Sequence, residues 1–230
     1  MKATVDFLSE DTLIVRFDSR ASEALSAQIQ RLVVSLRERC GSSIVECVPS
    51  YTSVLIQFDL FSLSHESLQR QIEQAFLEES HDSTEERAAK LVQIPVCYAP
   101  EFALDIDEMA QQRNCGTDEI MQLHSETSYT VYAIGFCPGF AFLGNVPDAI
   151  ATARKATPRA IVPAGSVGIA NQQTAVYPTD SPGGWNIIGR SPMQIVDYNL
   201  PALCPFQIGD QIKFSAISVE EYYFLKGSEQ

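Results

Sequence analysis

Hydrophobic positions in the first 90 residues switch between two periods, and each switch marks an element. Residues 2–8 and 12–17 alternate apolar and polar side chains on either side of Ser9, Glu10 and Asp11, the pattern of two strands or a hairpin. From Ala21 to Cys40 the period lengthens. Leu25, Ile29, Leu32 and Leu36 form the stripe of an amphipathic helix, and Gly41 stands where a C-terminal cap belongs. β character returns at 43–48 and 53–59, with Pro49 and Ser50 at the turn, and a second helix starts near Ser64 with Leu68, Ile72, Ala75 and Phe76 on one face. With an edge strand at Leu91–Cys97, this order predicts an α+β domain over residues 1–90, an open sandwich of ferredoxin-like type. The charged run Glu78–Lys90, in which Ser83 and Glu86 have capping-box spacing, predicts a short helical connector and the domain boundary.

Beyond Pro95 two short helices are expected, one from Asp105 and one from Thr117 to His124, separated by Gly116. From Tyr129 onward the pattern is one of short apolar strands at 129–135, 160–163, 166–170, 174–177, 186–189, 193–197 and 211–215. That spacing predicts a mainly-β barrel domain over 91–230. Gly135 to Pro192 is unusually rich in glycine and proline and holds the only tryptophan, Trp185. Such a density specifies loop shapes, and shaped loops on a β scaffold are where binding sites usually lie.

Composition narrows the partners. The 230 residues are 45% hydrophobic, enough for two cores, and carry a formal net charge of -13. That charge argues against nucleic acid and anionic membrane surfaces, which are bound by replacing counterions with Lys and Arg. The start carries no signal-peptide pattern, and no apolar run approaches the roughly 18 residues of a membrane span. Six cysteines without a C-x-x-C pair fit reduced thiols of a cytoplasmic protein, and with three scattered histidines no metal centre is expected.

Phosphate-loop, dinucleotide and zinc-protease motifs are absent. Ala164–Gly168 approaches a nucleophile elbow, but the first glycine is missing and Ser166 leads into a strand. Cys137 has no basic neighbour in sequence and reads as a small buried hydrophobe. His124 is a general-base candidate or a charge complement at a helix end. Phe136, Phe140 and Phe142 share parity, suiting either barrel core or an apolar pocket rim. Arg159 and Arg190 sit beside turn chemistry and could clamp a carboxylate or phosphate, or form structural ion pairs. Gly183 and Gly184 offer backbone N–H groups beside the Trp185 wall, suited to an anion or to a tight hairpin.

Four segments in order, GFCPGFAFLG, ATPRAIVPAGSVGIA, QTAVYP and SPGGWNIIGRSP, resemble the KipI / allophanate hydrolase subunit 1 family. The resemblance extends over essentially the whole chain and is densest from Pro95 to Asp197. It implies an N-terminal α+β domain, a cyclophilin-like β-barrel and pairing with a homologous second subunit. It places Glu101, Asp105, His124, Phe136, Phe140, Arg159, Ser166, Gln173, Tyr177, Gly183, Gly184, Trp185 and Arg190 in or near the cleft-forming motifs. Ala99, Pro100 and Ala103 depart from the family's glycines around Glu101, and Asn171 replaces another glycine. The leading activity implied is that of one component of an ATP-dependent 5-oxoprolinase, which opens 5-oxo-L-proline to L-glutamate in the company of a homologous C subunit and an A subunit. ATP then belongs to the assembly. The same resemblance also admits the carboxyltransferase half of a biotin-dependent urea or amide carboxylase, and a KipI-like inhibitor of a sensor histidine kinase.

Overall fold

A computed structural model describes residues 3–79, 89–199 and 203–228 of the chain, which divides into two compact units, Met1–Ala88 and Ala89–Gln230. The first unit runs β1 (Ala3–Phe7), β2 (Thr12–Phe17), α1 (Glu23–Cys40), β3 (Ile44–Ser50), β4 (Ser53–Phe58) and α2 (His65–Glu79). Ser22 caps α1 by accepting from the Leu25 amide at 3.2 Å, and Gly41 ends it at φ 55°, a conformation costly for any residue with a Cβ. The helical stripes then bury Leu25, Ile29, Leu36, Leu68 and Ile72 with Leu13, Val15, Val54 and Ile56 of the strands. All pairings in the sheet, ordered β1-β2-β4-β3, are antiparallel.

The ferredoxin-like expectation is corrected in its connectivity. The order of elements, ββαββα, is the one expected, but the edge beside β2 is held by the N-terminal strand β1. The segment at 91–97, expected to close this sheet, belongs to the other unit. The expected helical connector falls largely outside the described residues.

The second unit contains β5 (Leu91–Val96), α3 (Ile106–Arg113), α4 (Thr117–Glu126), β6 (Ser128–Ile134), β7 (Ala141–Gly144), β8 (Arg159–Val162), β9 (Ser166–Ala170), β10 (Gln173–Val176), β11 (Ser181–Gly183), β12 (Asn186–Arg190), β13 (Gln211–Ala216) and α5 (Val219–Ser228). Seven of these strands form a sheet ordered β12-β9-β10-β7-β6-β13-β5, in which β5 and β13 run parallel. Its two ends meet. Cys97, just past β5, donates its N–H to the Arg190 carbonyl at 2.8 Å and accepts from the Arg190 N–H at 2.9 Å. This bridge curls the sheet into a barrel filled by residues such as Val96, Val131, Leu143, Val167, Ile188 and Phe214.

Side-chain alternation sorts β9 between two cores. Val167 and Ile169 point into the barrel, whereas Ala170 joins an outer cluster with Phe140, Val162, Ala175, Tyr177, Trp185 and Ile187. A small sheet of β8 and β11 lies apart from the main one in the pairing. The strand expected at 193–197 is an irregular segment, although Ile195 and Val196 are buried in the barrel core.

Candidate functional site

The segment between β5 and α3 runs along the otherwise unpaired edge of β12. At its far end the Asp105 N–H donates to the Ile187 carbonyl at 2.8 Å, and the Ile187 N–H donates to Asp105 Oδ2 at 2.7 Å. The Asp105 side chain is 2% exposed and gathers three further donors: Arg159 through both terminal nitrogens at 2.8 and 2.6 Å, and Lys155 Nζ at 2.9 Å. Burial alone would raise the Asp105 pKa, but the hydrogen bonds from Arg159, the Ile187 amide and Lys155 outweigh it and hold the carboxyl below its ordinary range. Lys155 also donates to Glu108 Oε2 at 2.7 Å, and Glu108 and Asp105 together raise its pKa. With its carboxylate so engaged, Asp105 occupies the N-cap position of α3 without a side-chain capping bond.

Arg159 is therefore committed to Asp105 by a bidentate fork, and the shared Arg159–Arg190 clamp is not formed. Arg190 stands differently. Its guanidinium carbon lies 5.4 Å from the centre of the Phe102 ring, and its buried Nε has no hydrogen-bond partner. Ser166, its cross-strand partner on β9, is fully buried, and its hydroxyl also lacks a partner. The turn before Ser166 depends on Gly165 at φ 79°, where an added Cβ would collide with the Ser191 carbonyl oxygen. Glu101 is exposed and accepts from the Tyr223 hydroxyl at 3.4 Å.

The aromatic residues divide into wall and rim. Phe140 is 2% exposed and meets Tyr177 and Trp185 edge-on at 5.2 and 5.7 Å, so of the two readings, core or pocket rim, it takes the core one, in the outer cluster. Phe136 is 66% exposed, adopts φ 72° and touches Phe140 edge-on. A non-glycine residue held there stores local strain. Gly183 pairs with Arg159 across β11 and β8, and a Cβ on it would strike the Tyr177 hydroxyl. The Gly184 carbonyl accepts from the Lys155 N–H at 2.8 Å. Gln173 lies in β10, opposite Gly144 and Ala170.

His124 is removed from any such surface. It is fully buried at the end of α4, stacked at 4.4 Å on Phe214. The Thr174 hydroxyl gives its proton to the Gly168 carbonyl, so at 2.9 Å it accepts from His124 Nε2–H, and Nδ1 then accepts from the Tyr98 hydroxyl at 2.8 Å. Burial pushes the imidazole pKa down to about 3. The ring is a neutral structural tie, which corrects its candidacy as a general base.

Lys155 and Glu108 belong to none of the motifs that mark the site in the sequence. The signal there for Lys155 is the cationic run Arg154-Lys155 just before Arg159 in a cation-poor chain, and for Glu108 it is only its place three residues after Asp105 at the start of a helix.

Known proteins share this architecture. The carboxyltransferase domain family, subdomain C and D, matches residues 3–206, and the chain belongs to that family. Its relatives include the 5-oxoprolinase B subunit of Bacillus subtilis strain 168, 34% identical with 96% of each chain covered. The protein of the same name from Haemophilus influenzae is 35% identical, over 93% of this chain and 97% of its own. Among solved structures, the crystal structure of TTHA0988 is 31% identical with a TM-score of 0.78, covering 90% of this chain and 40% of that one.

Proposed function

We propose that this chain is the B component of an ATP-dependent 5-oxoprolinase that hydrolyses 5-oxo-L-proline to L-glutamate together with a homologous C subunit and an A subunit in the cytoplasm. The observation that carries the proposal is the nearly end-to-end likeness to proteins named as the B subunits of 5-oxoprolinases. The enzymatic activity belongs to the assembly. An unactivated lactam is a poor electrophile, so coupling its opening to ATP, by phosphorylating the carbonyl oxygen, makes chemical sense. The glycine turn at Gly165 leads into a strand and not a helix, so it does not build the helix N-terminus that commonly cradles phosphates. We assign ATP to the complex as a whole. What this chain contributes is a rigid barrel edge with a locked carboxylate, Asp105, and a partly exposed arginine, Arg190.

The test is co-production with the A and C subunits and measurement of glutamate release from 5-oxo-L-proline and ATP. The expected result is ATP-coupled release by the three-subunit assembly and negligible release by this chain alone. A reconstituted assembly that releases no glutamate, or efficient turnover by the isolated chain, overturns the proposal.

A further inference from the structure

We infer that Arg190 is the anion-binding residue of this chain and that its ligand is the carboxylate of a small lactam or amino-acid substrate. This rests on the 5-oxoprolinase reading for the identity of the substrate, but the site itself rests on four features of the barrel edge. The first is an unpaired charge. In a chain of net charge -13, Arg159 and Lys155 both find carboxylates, yet among the described residues no carboxylate bonds the Arg190 guanidinium. Glu101, on the segment that follows Cys97 along this edge, is bonded to the Tyr223 hydroxyl instead.

The second feature is the orphaned Nε. A buried N–H without an acceptor is costly unless a ligand or water completes it. The third is the Ser166 hydroxyl, equally buried and equally unpartnered, on the residue directly opposite Arg190 in the ladder, where side chains share one face. The fourth is fixed aim. The Arg190 backbone is pinned by both hydrogen bonds of the barrel-closing bridge with Cys97, and its guanidinium carbon lies over the Phe102 ring, itself packed at 4.4 Å on Tyr222. A guanidinium so held presents its donors to a planar carboxylate with little ordering left to do.

Two measurements test the inference. In the purified full chain, the Arg190 Nε–H signal, assigned by its loss in Arg190→Lys, is followed by nitrogen-edited NMR during titration with 5-oxo-L-proline and, separately, with 2-pyrrolidinone, the same lactam without the carboxylate. A saturable shift with the first and none with the second is expected. No shift with either, or equal shifts with both, overturns the inference whatever the activity of the complex. In the assembly with the A and C subunits, Arg190→Gln should lower the ratio of kcat/KM for 5-oxo-L-proline to that for 2-pyrrolidinone by about 10- to 100-fold, the size of a lost charge-assisted hydrogen bond. Arg70→Lys, at an exposed position of α2 in the first unit, should leave that ratio unchanged. If Arg190→Gln instead weakens co-purification with the partner subunits while the assembly that still forms shows an unaltered ratio, the arginine anchors a protein carboxylate and the inference is wrong. An assembly inactive on 5-oxo-L-proline with a normal carboxylate-dependent NMR shift would refute the 5-oxoprolinase reading and leave the anion site standing.

Discussion

Asp105 illustrates how a single buried charge is made tolerable. Taking a carboxylate out of water costs several kcal/mol unless donors replace its hydration, and here Arg159, Lys155 and the Ile187 amide do so. Replacing it by the isosteric Asn removes the charge that both cations face, so Asp105→Asn should destabilise the second unit by about 3 kcal/mol in urea titration at pH 7. The sign of the pH dependence follows from the lowered pKa. Asp105 contributes fully above the unfolded value near 3.8 and loses its contribution as the pH falls through the lower folded value. The stability gap between the parent and Asp105→Asn should therefore narrow below pH 3.8. A gap independent of pH would mean that the asparagine acts through shape alone. Phe140 and Phe136 offer a second contrast. Phe140→Ala empties the middle of the outer aromatic cluster and should cost about 3–5 kcal/mol. Phe136→Ala removes a mostly exposed ring from a strained backbone and should change the denaturation midpoint little, with any effect appearing in subunit association. Equal losses in the two variants would contradict the division into wall and rim.

At the scale of elements, α4 is tied to the barrel by His124, and this tie has a measurable signature. Above pH 6.5 the imidazole is neutral whether the chain is folded or not, so it adds no pH dependence. Between pH 6.5 and about 3 the unfolded chain takes up a proton that the folded one refuses, so stability falls with pH. The slope is at most about 1.4 kcal/mol per pH unit. His124→Gln should lose one proton's worth of this slope in unfolding titrations from pH 7 to pH 4, and an unchanged slope would show that the ring is protonated in the fold. From sequence, α1 and the strands at 53–58 and 211–216 are readable because each writes one buried face with a regular period, whereas the strand at 166–170, buried on both faces, is readable as a short apolar run after a turn. The exceptions have physical causes. β5 joins β13 across more than a hundred residues of chain, and parallel pairing leaves no local turn to announce it. β7 has only four residues after a Pro-Gly break, too few for alternation to show. α5 buries Tyr222 while Tyr223 and Phe224 stay exposed, so its apolar residues trace no helical stripe. Residues of the site are legible one by one from turn chemistry, but their partnerships are not: Asp105 and Lys155 are 50 positions apart, and nothing in spacing distinguishes the arginine that is locked from the one that is free.

For the molecule as a whole, the distribution of buried residues sets what can stand alone. Among the described residues, the buried core of the first unit draws on Leu13 to Ala75, with Ala3, Val5 and Phe76 packed against it, while the barrel interior, the outer aromatic cluster and the group around Phe102 draw on Val92 to Tyr222. Barrel closure is also internal to the second unit, since both members of the Cys97–Arg190 bridge lie in it. The bridge at Cys97 and Arg190 brings the two edges of the seven-stranded sheet together, which leaves little of that sheet's edge open to aggregation, and a chain segment of this length can bury enough surface to fold by itself. Residues 89–230 produced alone should therefore give a cooperative thermal transition and dispersed amide NMR signals. Gly189→Ala in the same fragment should undo this, because the new methyl would press on the Cys97 carbonyl at 2.8 Å and strain the bridge that closes the sheet. The expected outcome is a clear loss of melting temperature in the alanine variant with the far-UV signature of β structure retained. If the parent fragment is already molten, with no cooperative transition, the barrel depends on residues 1–88, and the two cores are coupled in a way their separate composition does not suggest.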